Sequence, residues 1–205
     1  PAEALDKPEP GVRKRPVDWS RDGRYLIMEK FGPKTGFDVW VLPLTSGDPS
    51  GNKPGDGKPF SNVQTDFQEQ YGKLSPNGQW LAYVSNDPKR NEVYVQTFPN
   101  SGGKWQVSTN GGTRPVWSRD GKELFFTAAD QKMMAAEVKN GGGAKFEVGV
   151  PKPLFDTGIS RTLGGGTNPW FDVTKDGRFL IPTVLEQSAA TPMTVVVNWT
   201  AGLKK

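Results

Sequence analysis

The 205-residue chain contains no cysteine and no histidine. Without cysteine there is neither a disulfide nor a thiol nucleophile, and cysteine usage leaves the redox compartment open. Without histidine a Ser-His-Asp triad, a Cys-His pair, a His-ligated zinc and a facial iron triad are all excluded. Any catalysis would have to rest on carboxylates, lysine, tyrosine or a bound cofactor. Long apolar runs are missing as well. The longest candidate, Thr194 to Trp199, is strand-sized and far short of the ~20 residues that cross a bilayer. The opening PAEALDKPEPGVRKRP has no apolar core of the kind a signal peptide needs, so no membrane insertion by this chain is expected. No window sustains a capped 3.6-residue apolar period, so helix should be nearly absent.

What is present in quantity is punctuation. The chain has 25 Gly and 18 Pro, with 34% apolar and 23% charged residues, the make-up of a turn-dense soluble domain long enough to bury a core. Its net charge of +4 is spread among 26 basic and 22 acidic side chains. The one dense basic cluster, Arg13, Lys14 and Arg15, reads as part of a solvated arm over residues 1–15 rather than as a phosphate or headgroup contact.

Four stretches align on one glycine: DWSRDGRYLIME, KLSPNGQWLAYV, VWSRDGKELFFT and DVTKDGRFLIPT. The anchoring Gly23, Gly78, Gly121 and Gly177 are spaced by 55, 43 and 56 residues. A period near 43 with two insertions suits a four-stranded propeller blade of about 40 to 50 residues. Ser20, Ser75, Ser118 or Thr174 stands three residues before each glycine, where its hydroxyl can bond a backbone N–H two residues on. Asp22, Asn77, Asp120 or Asp176 stands immediately before it, and the glycine can take φ > 0, so each quartet predicts a hairpin corner closed by a glycine bulge. Three residues after every anchor comes Leu26, Leu81, Leu124 or Leu180 in an apolar run that suits a sheet covered on both faces. FDVWVLPL, NEVYVQTF, KMMAAEV and PMTVVVNW then predict a third strand in each unit, and GKPFSN, KWQVST and PKPLFD a short outer edge strand in three of them. The expected fold is all-β: a partial β-propeller of three to four four-stranded antiparallel blades at about 16–62, 63–110, 111–160 and 161–205, the last incomplete.

LSPNGQWLAYVSN, followed by NEVYVQTFPNSGGKWQVSTNGGTRPVWSRDGKELFF, resembles the WD-like repeat of TolB-type β-propellers over roughly residues 16 to 200. More narrowly, KPLFD, FDVTKDGRFLI and the closing VVVNWTAGLKK resemble the C-terminal propeller of bacterial membrane-bound serine/threonine protein kinases of the soil-acidobacterial kind. That resemblance implies a non-catalytic sensing or protein-interaction domain on the periplasmic or extracellular side of a membrane, within a larger receptor-like kinase. It brings no kinase activity here, because no glycine-rich phosphate loop, VAIK, HRD or DFG is present. The alternative is the gating propeller of a prolyl-oligopeptidase-like hydrolase whose catalytic domain is absent. TolB-type rings close with six or more blades, so four at most leave unpartnered end faces, and either self-association completes the ring or the missing blades belong to a longer chain.

Propellers bind at the central channel and on the loops of one face, which singles out Arg114 in GGTRPVWS, and Asn168 and Trp170 in GGGTNPWFDV, as ligand- or partner-binding candidates. An Arg and a Trp at a channel mouth could hold a peptide, protein or glycan through bidentate bonds and stacking. The competing reading makes Trp170 a core cap and pairs Arg114 with a neighbouring blade's Asp. No catalytic residue, metal ligand or cofactor site is assigned. The Asp-Gly corners lack the alternating acids of a calcium loop, and the remaining carboxylates, among them Asp38, Asp66, Glu69, Asp87, Glu92 and Asp172, lie at turns and strand ends and form no pair that sequence can place. Gly141 to Lys145 and residues 46–59 read as loops, Asn198 as a chance glycosylation sequon, and aromatics beside basic residues as blade packing, so no nucleic acid is expected as a partner.

Overall fold

A computed structural model describes residues 9–44, 58–87, 89–99, 102–139, 146–158 and 171–182. Among these every regular element is a strand. The first antiparallel sheet holds β1 (Lys14–Trp19), β2 (Tyr25–Gly32), β3 (Gly36–Pro43) and β4 (Phe60–Val63) in sequence order. The second holds β5 (Glu69–Leu74), β6 (Trp80–Ser85), β7 (Glu92–Thr97) and β8 (Lys104–Gln106), and the third β9 (Gly112–Trp117), β10 (Glu123–Ala128), β11 (Lys132–Glu137) and β12 (Lys152–Asp156). A fourth sheet is described by two strands, β13 (Asp172–Val173) and β14 (Phe179–Leu180). Three meandering four-stranded blades and the inner hairpin of a fourth make a partial β-propeller.

Blades 2 and 3 bury both faces, as their apolar runs require. Ile27, Val39 and Val41 of blade 1 meet Leu74, Leu81, Tyr83 and Tyr94 of blade 2. The other face of blade 2, with Trp80, Ala82, Val84, Val93 and Val95, packs on Trp117, Leu124 and Phe126 of blade 3. Phe146 fills this second junction, with its ring 5.2 Å from Trp80 and 5.6 Å from Trp105. Phe125, Met133 and Ala135 then meet Phe171 of blade 4. Gly72 marks how close the first two blades come: a Cβ there would lie 2.9 Å from Val39 Cγ1 and 3.0 Å from Ile27 Cγ2.

The corners of the first three blades share one hydrogen-bond pattern, and it reaches further than a two-residue turn. The Ser20, Ser75 and Ser118 hydroxyls accept the N–H of Tyr25, Trp80 and Glu123, five residues on, at 2.8, 3.0 and 2.9 Å. Each donates in turn to Asp22, Asn77 or Asp120, whose Oδ1 accepts the N–H two residues ahead. The short bond assigned from sequence to the serine therefore belongs to the Asp or Asn, and the serine spans the whole loop. Gly23, Gly78 and Gly121 sit at φ of 75°, 69° and 75°, the left-handed region a side chain resists.

Blade 4 departs from the repeat. In blades 1 to 3 the residue four before the glycine faces the conserved-spacing leucine: Trp19 opposite Leu26, Leu74 opposite Leu81, Trp117 opposite Leu124. In blade 4 Val173 faces Phe179 and Asp172 faces Leu180, one residue out of step. The corner is correspondingly tighter, closed by Thr174 N to Arg178 O at 2.9 Å. A one-residue slip turns every side chain to the other face. Phe179 thus enters the core with Phe125 and Phe171, while Leu180, predicted to be covered, is 72% exposed.

The Arg13 to Arg15 cluster is also not a solvated arm. Lys14 and Arg15 begin β1, opposite Lys30 and Glu29. Lys14 pairs with Glu9 at 2.7 Å, Arg15 pairs with Glu29, and the Arg13 guanidinium lies 4.8 Å from the Phe31 ring centroid. Each cation has a carboxylate or an aromatic face, which is what holds the stretch in the sheet.

Candidate functional site

The first strand of each blade runs along the inner side, so β1, β5, β9 and β13 line the channel, with β5 packed against both β1 and β9. Two of these strands are bent at equivalent places. Tyr71 and Gly72 together oppose the single residue Tyr83, and Arg114 and Pro115 together oppose Phe126. These are β-bulges, and Tyr71 and Arg114, each seven residues before its corner glycine, take φ of 59° and 56°. Left-handed backbone costs such side chains of order 1 to 3 kcal/mol, so the surrounding packing holds them there.

The bulges bring side chains of three blades together. The Arg114 guanidinium lies 4.7 Å from the Tyr71 ring centroid, Tyr71 N–H donates to Glu29 Oε1 at 2.6 Å, and Arg15 takes the other Glu29 oxygen. Arg114 is only 3% exposed. Burial lowers its pKa from the ordinary arginine value, with Tyr71 and Glu29 opposing that shift and Arg15 adding to it. The candidate from sequence is thus a wall residue stacked on an aromatic ring of the preceding blade, where an aspartate partner had been the competing reading. Asn168 and Trp170, the other two candidates, lie outside the described residues, as do Gly141 to Lys145, PMTVVVNW and Asn198. In sequence Trp170, like Tyr71 and Arg114, stands seven residues before its corner glycine.

The opposite end of the channel, where the corners converge, opens into a cavity of about 710 Å³. Asp18, Trp19 and Arg21 of blade 1, Lys73 of blade 2, Trp117 of blade 3, and Phe171, Asp172 and Leu180 of blade 4 contribute to its wall. Arg21 Nη1 reaches across to the Arg119 carbonyl at 2.7 Å, tying the corners of blades 1 and 3. Lys73 Nζ donates to the Val17 carbonyl at 2.6 Å, and Leu74 N–H donates to Asp18 Oδ2 at 2.8 Å, so the cations and Asp18 are largely committed to joining blades.

Trp19 is the uncommitted member. Its repeat equivalent Trp117 is 7% exposed and donates its indole N–H to the Lys73 carbonyl of the preceding blade at 3.0 Å. Trp19, in the first blade, is 59% exposed. The two indoles share a sequence context, yet Trp117 is packed against blade 2 and Trp19 lines the cavity with most of its surface exposed. Across the cavity Leu180 adds a second exposed apolar wall. Blade 1's outward face is otherwise less open than the half-ring argument predicts: Met28 and Leu42 are buried, and Lys30 Nζ covers Trp40 at 4.4 Å from its ring centroid.

Among the described residues no three acidic side chains converge as a metal-binding group, and no helix is long and apolar enough to cross a membrane. No protein-family model matches the chain, and no curated protein sequence matches it. Solved structures do resemble its fold. A protein described as TolB from Agrobacterium tumefaciens aligns at 15% identity over 70% of this chain and 50% of that one, with a TM-score of 0.52. A protein described as a 6-phosphogluconolactonase from Bacteroides uniformis aligns at 16% identity over 84% of this chain and 48% of that one, TM-score 0.49. The Cps50 (Swd1) β-propeller domain from Myceliophteria thermophila aligns at 11% identity over 65% and 56%, TM-score 0.42. The chain spans about half the length of these structures. The fold is that of a TolB-like propeller.

Proposed function

We propose that the chain is a non-catalytic binding module whose protein, peptide or glycan ligand enters the corner-side mouth of the channel. The observation that carries this reading is Trp19: an indole at a blade-junction position, 59% exposed, on the wall of a cavity of about 710 Å³. An exposed tryptophan on the wall of a concave site is the residue type that anchors recognition surfaces. Across the cavity Leu180 and Phe171 supply apolar surface, and Asp172 a carboxylate. With no histidine or cysteine in the chain, binding is the chemistry this wall supports, and no enzyme activity is assigned to it.

The wider setting rests on the sequence resemblance already described. The KPLFD, FDVTKDGRFLI and VVVNWTAGLKK stretches favour a propeller segment of a receptor-like kinase, placed in the periplasm or on the extracellular face of a bacterial membrane, with completion of the ring by a further copy or further blades. A gating propeller of a prolyl-oligopeptidase-like hydrolase is the alternative, separated from it by whether a kinase or a hydrolase is encoded in the same reading frame. The site itself is tested by thermal-shift screening of peptide and glycan panels against the native chain and Trp19→Ala. Ligands that raise the melting temperature of the native chain should lose that effect in the variant. Equal shifts in both would remove Trp19 and this mouth from the reading.

A further inference from the structure

The two complete blade junctions handle the same buried carboxylate differently. In blade 2 the first residue of β7, Glu92, is 2% exposed and fully matched: Arg90 Nε donates to Oε1 at 2.8 Å, Gly111 N–H donates to Oε1 at 2.9 Å, and the Ser108 hydroxyl takes Oε2. In blade 1 the corresponding residue is Asp38, in FDVWV against NEVYV, and it is 2% exposed as well. Where Arg90 stands two residues before Glu92, Gly36 stands two residues before Asp38, so no guanidinium is available. Where Ser108 follows Val107, Gln64 follows Val63, and its amide lies 3.5 Å from Asp38 Oδ2. Thr35 donates to that same oxygen at 3.0 Å, while Asp38 Oδ1 is buried with no hydrogen-bond partner.

A second acid closes this junction. Glu69, the first residue of β5, is 1% exposed and occupies the place that Gly112 holds in blade 3. It accepts the Thr65 hydroxyl at 2.6 Å and the Ser85 hydroxyl at 3.2 Å. Among the described residues neither Asp38 nor Glu69 pairs with a lysine or arginine. Burial raises the pKa of both, and the Asp38 charge raises that of Glu69 further. Two buried carboxylates facing one junction with only neutral donors around them, the Thr65 N–H at 3.4 Å from Glu69 Oε2 among these, are costly as anions.

We propose that the junction between blades 1 and 2 binds one calcium ion through Asp38 and Glu69, in the place where Arg90 serves the next junction. The donors are all oxygens, which selects a hard cation. Asp38 Oδ1 supplies an unused ligand atom, and Thr35, Thr65, Ser85 and the Gln64 amide surround the carboxylates with neutral oxygens, the amide by rotating its oxygen inward. Gln64 and Thr65 are exposed, which gives the ion a path from solvent. This site is distinct from the Asp-Gly corners, whose carboxylates are consumed by the turn, and from the channel mouth proposed for the ligand.

The test is thermal unfolding of the full chain, stripped with chelator, with and without 10 mM calcium or magnesium chloride, together with calorimetric titration of calcium. At the affinity of about 10⁻⁴ to 10⁻³ M usual for extracellular modules, calcium should raise the melting temperature by about 3 to 10 °C and bind once per chain. Asp38→Asn and Glu69→Gln should each abolish the shift, while Glu92→Gln, at the junction already holding Arg90, should retain it. Glu69→Gln keeps the test decisive if Asp38→Asn does not fold. No shift in the native chain, a shift with magnesium but none with calcium, or an equal calcium shift in both site variants would each overturn the proposal.

Discussion

Trp117 and Trp19 stand in the same five-residue context and meet opposite fates. Trp117 is clamped between blades 2 and 3, edge-on to Phe146 at 6.4 Å and bonded through its indole to the Lys73 carbonyl. Trp19 stands on the cavity wall with most of its surface in solvent. The same repeat position is thus packed core in blade 3 and exposed cavity wall in blade 1. The lesson is that contact with a neighbouring blade, rather than the motif, decides whether the side chain is buried.

The sharpest way to break this comparison is to remove both indoles. Trp117→Ala should destabilise the chain by about 3 to 5 kcal/mol through lost burial and a cavity at the junction. Trp19→Ala should stay within about 0.5 kcal/mol, as an exposed substitution does. Denaturant titration of the two variants would measure the gap, and equal losses would show that Trp19 is packed in solution.

Next in size is the junction charge. Arg90→Ala leaves Glu92 buried without its guanidinium and makes the second junction resemble the first; a loss of about 2 kcal/mol is expected by the same titration. Of similar size is Gly72→Ala, whose methyl group must displace Val39 or Ile27. Overpacking there should cost about 1 to 3 kcal/mol, with blades 1 and 2 the ones forced apart. An unchanged midpoint for Gly72→Ala would mean that the first junction is looser than its packing implies.

Smaller effects separate the regular corners from the slipped one. Ser118→Ala removes a buried hydroxyl that spans its loop and should cost about 1 kcal/mol, whereas Thr174→Ala, at an exposed corner, should cost less. The pH dependence has a definite sign. Asp120 is held below the ordinary carboxylate pKa, first by the Lys122 N–H and then by the Ser118 hydroxyl, and Asp176 first by the Thr174 hydroxyl. A lowered folded-state value means that their contribution is complete above the unfolded pKa near 4 and fades as pH falls through the lower folded value. The difference in melting temperature between the native chain and Asp120→Asn should therefore shrink in acid, and a gap that persists at low pH would assign it to something other than ionisation.

Sequence alone determined the blades, their order and where their corners fall, because these depend on short-range chemistry. A serine, an Asp or Asn and a glycine at fixed spacing close a hairpin whatever surrounds it, and alternating apolar runs such as Glu92 to Thr97 pair with whichever strand the corner brings back. It could not determine what depends on a neighbour in space. Arg114 reads as a ligand-gripping residue or an aspartate's partner until it is seen to lie over Tyr71 of the preceding blade, Asp38 and Glu69 are 31 residues apart in the chain until two blades face each other, and Leu180 reads as core until a corner one residue shorter turns it outward. Burial and charge pairing are properties of surfaces in contact, and only the tertiary structure brings those surfaces together.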